Sequence, residues 1–125
     1  MTAMPDIIFV DDDVDVLESI EDYFSRLFSI VVFSSAKEAL EYLRQRGTKL
    51  LVTDLRMPGL NGFMLINEAR TICPELKILL ISGYIDASSD DERILYERYT
   101  PYCLSKPFKF TELQAKIEEI LEGSP

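Results

Sequence analysis

The stretch IIFVDDDVDVLESIEDYF, residues 7–24, contains the two patterns from which the fold is predicted. It begins with four apolar residues that do not alternate with polar ones, which is typical of a strand buried on both faces of a parallel sheet. Three aspartates follow, and apolar residues then recur every three or four positions up to Phe28, as on one face of an amphipathic helix. The stretch therefore predicts a strand followed directly by a helix.

The same unit recurs along the whole chain. Further apolar runs occupy residues 30–33, 50–52, 78–81 and, more weakly, 102–104. Helical periodicity follows each run: between the capping signal Ser35 and the stop signal Gly47, then over residues 63–72, 90–99 and 111–121, the last opened by Thr111 and Gln114. Five alternating units predict one α/β domain over residues 1–125, with a parallel sheet covered by helices on both faces.

Composition and charge exclude several functions. Twenty-two acidic residues against thirteen basic ones give a net charge of −9, which argues against direct binding of nucleic acid. The absence of histidine excludes Ser-His-Asp and Cys-His catalysis and histidine zinc sites. Cys73 and Cys103 lack CxxC spacing and are predicted to be free, buried thiols. With no signal peptide or membrane span recognisable, we expect a cytoplasmic protein without a membrane partner.

Polar residues follow four of the five predicted strands, and in a parallel sheet the carboxyl ends of the strands form the ligand site. These residues are Asp11, Asp12 and Asp13 after the first strand, Asp54 after the third, Ser82 and Gly83 after the fourth, and Lys106 and Pro107 after the fifth. Each of these residues also has a purely structural explanation; the aspartates, for example, could stabilise the N-terminus of the following helix. Their shared position favours one site, and clustered carboxylates favour Mg²⁺ as the ion that relieves their repulsion.

At this point the chain resembles a known family. The motifs FVDDD at residues 9–13, LVTDLRMPGLNG at 51–62, LLISG at 79–83 and LSKPF at 104–108 resemble the CheY-like receiver domain of two-component response regulators. The resemblance extends over essentially the whole chain. It implies the flavodoxin-like doubly wound (βα)5 fold, with strand order 2-1-3-4-5.

The resemblance also implies a role for each matching residue. Asp54 would accept a phosphoryl group, while Ser82 and Lys106 would contact that group. The Mg²⁺ site would comprise Asp12 directly, Asp11 mainly through water, Asp54, and the main-chain carbonyl of Arg56. Asp54 would need no general base, because a carboxylate is already ionised at neutral pH.

A departure from the family concerns the conformational switch. The family usually has an aromatic residue three positions before the lysine, and here that position is Cys103. Tyr102 is one residue earlier, so strand alternation directs it to the opposite face. We therefore predict that the loop over residues 82–86, which contains Ser82 and Gly83, carries the signal. The resemblance further implies a cis peptide bond before Pro107.

The implied function is that of a signalling domain. It would take its phosphoryl group from a sensor histidine kinase or a histidine phosphotransfer protein and would regulate an output domain or a downstream protein. It would be no enzyme beyond its own phosphotransfer and dephosphorylation, and the resemblance allows a phosphorylation-dependent homodimer. The missing histidine fits, because the donor histidine belongs to the partner.

Two alternatives remain open from the residues. Haloacid-dehalogenase-like phosphatases also use an aspartate nucleophile, and Asp11, Asp13 and Val14 match their D-x-D-x-V opening, with Ser82 and Lys106 as further matches. That family needs acidic metal ligands after the lysine, whereas no aspartate follows Lys106. The other alternative is a binding module of the same fold that is never phosphorylated.

Overall fold

The computed structural model describes residues 4–55, 62–82 and 102–122. These residues form five strands and four helices, and all the strands are parallel in the order β2-β1-β3-β4-β5, which confirms the predicted topology. The elements are β1 (Ile7–Val10), α1 (Val14–Phe24), β2 (Ile30–Phe33), α2 (Ala36–Arg46), β3 (Leu50–Asp54), α3 (Gly62–Ile72), β4 (Lys77–Ser82), β5 (Cys103–Ser105) and α4 (Phe110–Glu122). The helix predicted over residues 90–99 lies outside the described residues.

The sheet buries both of its faces, and this explains why the apolar runs show no alternation with polar residues. Successive residues of a strand point to opposite faces. Ile8 of β1 therefore packs in the cluster covered by α2 and α3, whereas Ile7 and Phe9 pack in the cluster covered by α1 and α4. Every residue of β1 and β3 is buried. Burial of this apolar surface is the main source of the fold's stability.

The helix boundaries are set by local hydrogen bonds. The side chain of Ser35 accepts a hydrogen bond from the main-chain N–H of Glu38, which confirms the predicted start of α2. Gly47 ends that helix with a φ of 78°, a conformation that favours glycine. None of the helices in the described part of the chain is long and apolar enough to span a membrane.

The last helix begins earlier than the sequence pattern predicts. The main-chain N–H of Lys109 donates to the Glu112 side chain at 3.0 Å, so α4 starts at Phe110 and Thr111 lies within its first turn. Ile120, rather than Leu121, is buried with Leu113 and Ile117. The prediction placed the cap on Thr111 because Thr-x-x-Gln resembles a capping pair, but the residue before the helix is Lys109, whose N–H donates to the Glu112 side chain. The two cysteines are free, as predicted, but half-buried.

Asp6 connects the loops at the amino end of the sheet. Its carboxylate accepts a hydrogen bond from the main-chain N–H of Ser29 at 3.0 Å and lies 3.1 Å from the Lys49 ammonium. The Ser29 hydrogen bond lowers the pKa of Asp6 below its ordinary value of 3.8; partial burial opposes this shift, and Lys49 adds to it. The unfolded chain therefore binds the proton more readily than the folded chain.

We predict that Asp6→Asn lowers the free energy of unfolding at neutral pH by about 0.5 kcal/mol, as expected for a largely exposed ion pair. The asparagine can still accept from Ser29 but has no charge for Lys49. The stability that the charge provides is complete above pH 3.8 and is lost as pH falls through the lowered pKa, so the difference from the parent should close in acid. Urea unfolding at several pH values measures it.

The control is Asp22→Asn, because Asp22 is exposed on α1 and its carboxylate makes no hydrogen bond or ion pair with the described residues. This variant should differ little from the parent at any pH. A difference between parent and Asp6→Asn that stays constant or grows in acid would show that the ion pair does not stabilise the fold.

Candidate functional site

The pairing of β1 with β3 places Asp11 next to Asp54. Val10 at the end of β1 is in register with Thr53 of β3, so the residues that follow each of them lie side by side at the carboxyl edge of the sheet. Both carboxylates are buried, with Asp11 6% and Asp54 8% exposed. The structure thus brings together two residues that are far apart in the sequence, as the strand-end argument predicted.

Asp12 completes a group of three carboxylates. One oxygen each of Asp11, Asp12 and Asp54 lies within 4.8 Å of the other two, and Asp12 is the exposed member. We call these three residues the acidic cluster. Its ligand atoms are all carboxylate oxygens, the type that Mg²⁺ prefers.

Asp13, the third consecutive aspartate, has a different role. Its Oδ1 accepts hydrogen bonds from the main-chain N–H groups of Asp15 at 3.0 Å and Val16 at 3.3 Å, so it caps α1. Its own N–H donates to Oδ1 of Asp11 at 2.9 Å. The two interpretations of this acidic run, as a site and as a helix cap, therefore apply to different residues.

Lys106 reaches the acidic cluster from the end of β5. Its Nζ lies 2.6 Å from Oδ2 of Asp54 and 3.9 Å from Oδ2 of Asp11. The peptide bond between Lys106 and Pro107 is cis, as the resemblance implied. One ammonium therefore contacts both of the buried carboxylates.

The electrostatics of the site follow from burial and from the excess of negative charge. Burial is the largest cause of the raised pKa of Asp11, and the charges of Asp54 and Asp12 add to it, against the Asp13 N–H and the Lys106 charge. Burial alone would lower the pKa of Lys106, but the hydrogen bond and charge of Asp54, with the other two carboxylates, raise it. The site therefore favours additional positive charge.

Other predicted site residues are only partly described. Ser82 ends β4, where it pairs with Ser105 in the sheet, but its side chain is not among the described parts. Arg56, Gly83 and the remainder of the predicted switch loop lie outside the described residues. Their predicted roles remain predictions.

Cys103 lies in β5 as a free, half-buried thiol. Tyr102 packs against the apolar cluster covered by α1 and α4, as does Leu104. Since Tyr102 and Leu104 share a face, Cys103 between them belongs to the other face, in agreement with the predicted alternation.

A groove of about 710 Å³ adjoins the acidic cluster. It runs between α1 and the connection from β5 to α4, and its walls include Asp11, Val16, Lys106 and Phe108. Asp11 and Lys106, which line the groove, therefore connect it to the acidic cluster.

Two further contacts at Asp54 were not predicted from the sequence. The hydroxyl of Thr53 donates to the main-chain oxygen of Asp54 at 3.0 Å. Gly62, the first residue of α3, packs so closely that a Cβ atom built on it would lie 2.5 Å from the same oxygen and 2.8 Å from Cα of Leu55. Gly62 belongs to a motif that the sequence singled out, but the contact depends on the path of the chain between β3 and α3.

We predict that Gly62→Ala destabilises the protein by about 1–3 kcal/mol. Alanine is the better helix former, by roughly 1 kcal/mol, so a loss of stability must come from the collision with the Asp54 and Leu55 main chain. Denaturant unfolding measures the change. The control Asn67→Ala, at an exposed position of α3, should be neutral or slightly stabilising, and an equally neutral Gly62→Ala would contradict the close approach.

Sequence comparison identifies relatives of this chain among known proteins. The sequence profile described as "Response regulator receiver domain" matches residues 7–118. The response regulator receiver protein CpdR of Brucella abortus (strain 2308) is 30% identical over 123 residues, which are 94% of this chain and 98% of CpdR. The C4-dicarboxylate transport transcriptional regulatory protein DctD of Rhizobium meliloti (strain 1021) is 29% identical over 109 residues, which are 86% of this chain but only 23% of DctD.

Solved structures share the fold. The signal receiver domain of an HD domain-containing protein from Pseudomonas fluorescens Pf-5 superposes with a TM-score of 0.84 at 23% identity, covering 95% of each chain. The profile match covers most of the chain, and it confirms the resemblance inferred from the four motifs. The chain belongs to the response regulator receiver domain family of two-component systems.

Proposed function

We propose that this receiver domain accepts a phosphoryl group on Asp54 and that Mg²⁺ is the cation of the acidic cluster. The observation that carries the proposal is the contact of 2.6 Å between Lys106 and the buried Asp54, beside two more carboxylates. A carboxylate that can act as a nucleophile thus lies beside an ammonium and beside two further carboxylates that can bind a metal ion. Phosphoryl transfer needs these parts, since its catalysis is largely positioning and charge stabilisation.

The transfer itself requires little of the protein beyond the carboxylate. An Asp54 oxygen attacks phosphorus, a P–O bond forms, and the bond from phosphorus to the donor breaks, so that the donor leaves with its electron pair. Lys106, which already contacts Asp54, is close enough to pair with an oxygen of the incoming group. We assign to Ser82 a hydrogen bond to the same group, on the ground of the resemblance.

The residues present fit Mg²⁺. Asp11, Asp12 and Asp54 offer carboxylate oxygens, and we add the main-chain carbonyl of Arg56 on the ground of the resemblance. Burial raises the pKa of Asp11, and the charges of Asp54 and Asp12 add to this shift. Three carboxylates and one lysine leave the site with an excess of negative charge. A bound Mg²⁺ would offset this charge and stabilise the negative charge of the phosphoryl oxygens.

The donor is a partner protein in this proposal. The chain contains no histidine, so a phosphohistidine would belong to a sensor histidine kinase or a histidine phosphotransfer protein. The receiver would then regulate an output domain or a downstream protein, with the switch in the loop over residues 82–86. A cytoplasmic location and a phosphorylation-dependent homodimer also stay predictions.

The phosphatase alternative rests partly on Asp13. Asp11 and Asp13 match its D-x-D-x-V opening, whereas in the structure the Asp13 carboxylate accepts the main-chain N–H groups of Asp15 and Val16 in α1. Turnover of small phosphate esters would favour the phosphatase, since a receiver domain should show none.

We predict that Asp54→Asn abolishes stable phosphorylation, because the amide oxygen is a poor nucleophile, and that the variant stays folded. Intact-mass measurement after incubation with acetyl phosphate and Mg²⁺ should show a single phosphate adduct on the parent and none on the variant. The matched control is Asp13→Asn, which keeps a good helix cap and should be labelled like the parent. An equally strong adduct on Asp54→Asn would remove Asp54 from its role.

We also predict that Mg²⁺ raises the melting temperature, because an ion that binds only the folded state stabilises it by about 2.7 kcal/mol at one hundred times its dissociation constant. Asp12→Ala should remove most of this effect at little cost to the core, since Asp12 is exposed. Glu18→Ala, an exposed acidic position on α1, should retain it. Melting curves that do not respond to millimolar Mg²⁺ would count against the metal site.

A further inference from the structure

Thr53 places a hydroxyl in the interior of the sheet directly before Asp54. Its side chain is 0% exposed, and its neighbours in register on the two flanking strands are Val10 and Leu80, both buried and apolar. The other residues of β3 before it are leucine and valine. A polar group therefore occupies a position where the surrounding layer is apolar.

Packing does not explain this hydroxyl. Valine has nearly the same shape, and burying a hydroxyl costs free energy unless the group is hydrogen-bonded. Among the residues that the structure describes, its hydrogen-bond partner is the main-chain oxygen of Asp54, at 3.0 Å. The hydroxyl therefore acts on the main chain of Asp54.

The Asp54 carbonyl lies where β3 extends beyond the end of β1. The register between these strands ends at Val10 and Thr53, so β1 does not continue the ladder at Asp54. On the other side, the N–H of Leu55 donates to the Ile81 carbonyl at 2.9 Å. Gly62 packs against the Asp54 oxygen with no room for a side chain. The peptide between Asp54 and Leu55 is thus held by contacts from three separate directions, one of them the Thr53 hydroxyl.

We propose that Thr53 is a positioning residue for the phosphoryl acceptor: its hydroxyl fixes the peptide that follows Asp54 and so holds the Asp54 carboxylate in line for attack. Threonine suits this role because its branched side chain is restricted at χ1. In-line transfer is sensitive to small misplacement of the nucleophile. The inference rests on the proposed phosphoacceptor role of Asp54.

The test compares Thr53→Val with Thr53→Ser. The rate of labelling by saturating acetyl phosphate with Mg²⁺ is followed by intact mass. Thr53→Val, which removes only the hydrogen bond, should be labelled about tenfold more slowly than the parent, whereas Thr53→Ser should approach the parent rate. Rescue by serine separates a role of the hydroxyl from a role of the side-chain shape.

Thr48, two residues before the start of β3, offers a matched control. It is also buried, and its hydroxyl contacts the main-chain oxygens of Pro5 at 3.2 Å and Leu50 at 3.3 Å, far from the acidic cluster. Thr48→Val should lower the thermal midpoint but leave the labelling rate unchanged. If Thr48→Val slows labelling as much as Thr53→Val does, the effect is general destabilisation and the proposal is wrong.

The remaining outcomes are also decisive. Suppose that acetyl phosphate labels the parent. If Thr53→Val is then labelled at the parent rate, or if Thr53→Ser is labelled as slowly as Thr53→Val, the positioning role is wrong but the proposed function stands. A parent that acetyl phosphate does not label overturns the proposed function together with this inference. Should Thr53→Val lose cooperative unfolding, Thr53→Ala against Thr53→Ser makes the same comparison, since only serine keeps a hydroxyl.

Discussion

The carboxyl edge of this sheet is organised around two buried carboxylates that lie side by side. The register of β1 with β3 leaves Asp11 and Asp54 adjacent, and both are almost completely removed from solvent. Burial raises the pKa of Asp11, and the negative charge of Asp54 adds to this shift. The hydrogen bond from the Asp13 N–H and the charge of Lys106 partly offset this effect of burial and repulsion. A bound cation would complete the compensation.

The apolar layers beneath the site allow such an unfavourable arrangement to persist. β1 and β3 are buried on both faces, and Phe9, two residues before Asp11, packs against Phe24 of α1 in a tilted arrangement, with 5.5 Å between ring centroids. Phe24 in turn contacts Phe110 of α4 at 5.8 Å. The elements that carry Asp11 and the connection after Lys106 therefore share one aromatic cluster. Functional side chains that are carried by rigid elements are held in a precise geometry by the packing of those elements.

Most of the fold was predictable because buried strands and helix faces produce recognisable patterns of apolar residues in the sequence. The bounds of β1 and β2 coincide with unbroken apolar runs, and the start and end of α2 coincide with a serine cap and a glycine. The acidic cluster and Lys106 were predictable for a related reason, since parallel strands bring their carboxyl ends to one edge. The predicted start of α4 was wrong because two possible capping pairs overlap there. The choice between them depends on the path of the preceding loop.

The sequence by itself thus determined which segments are strands and helices, the charge of the site and the residue types that form it. Only the tertiary structure decided how three consecutive aspartates divide their roles, with Asp13 as the helix cap and Asp11 and Asp12 in the acidic cluster. It also decided the contacts of Thr53 and Gly62 with the Asp54 main chain. The physical reason is that apolar patterning depends on burial alone, whereas the direction of a side chain and its partner depend on strand register and on how the connecting loops return.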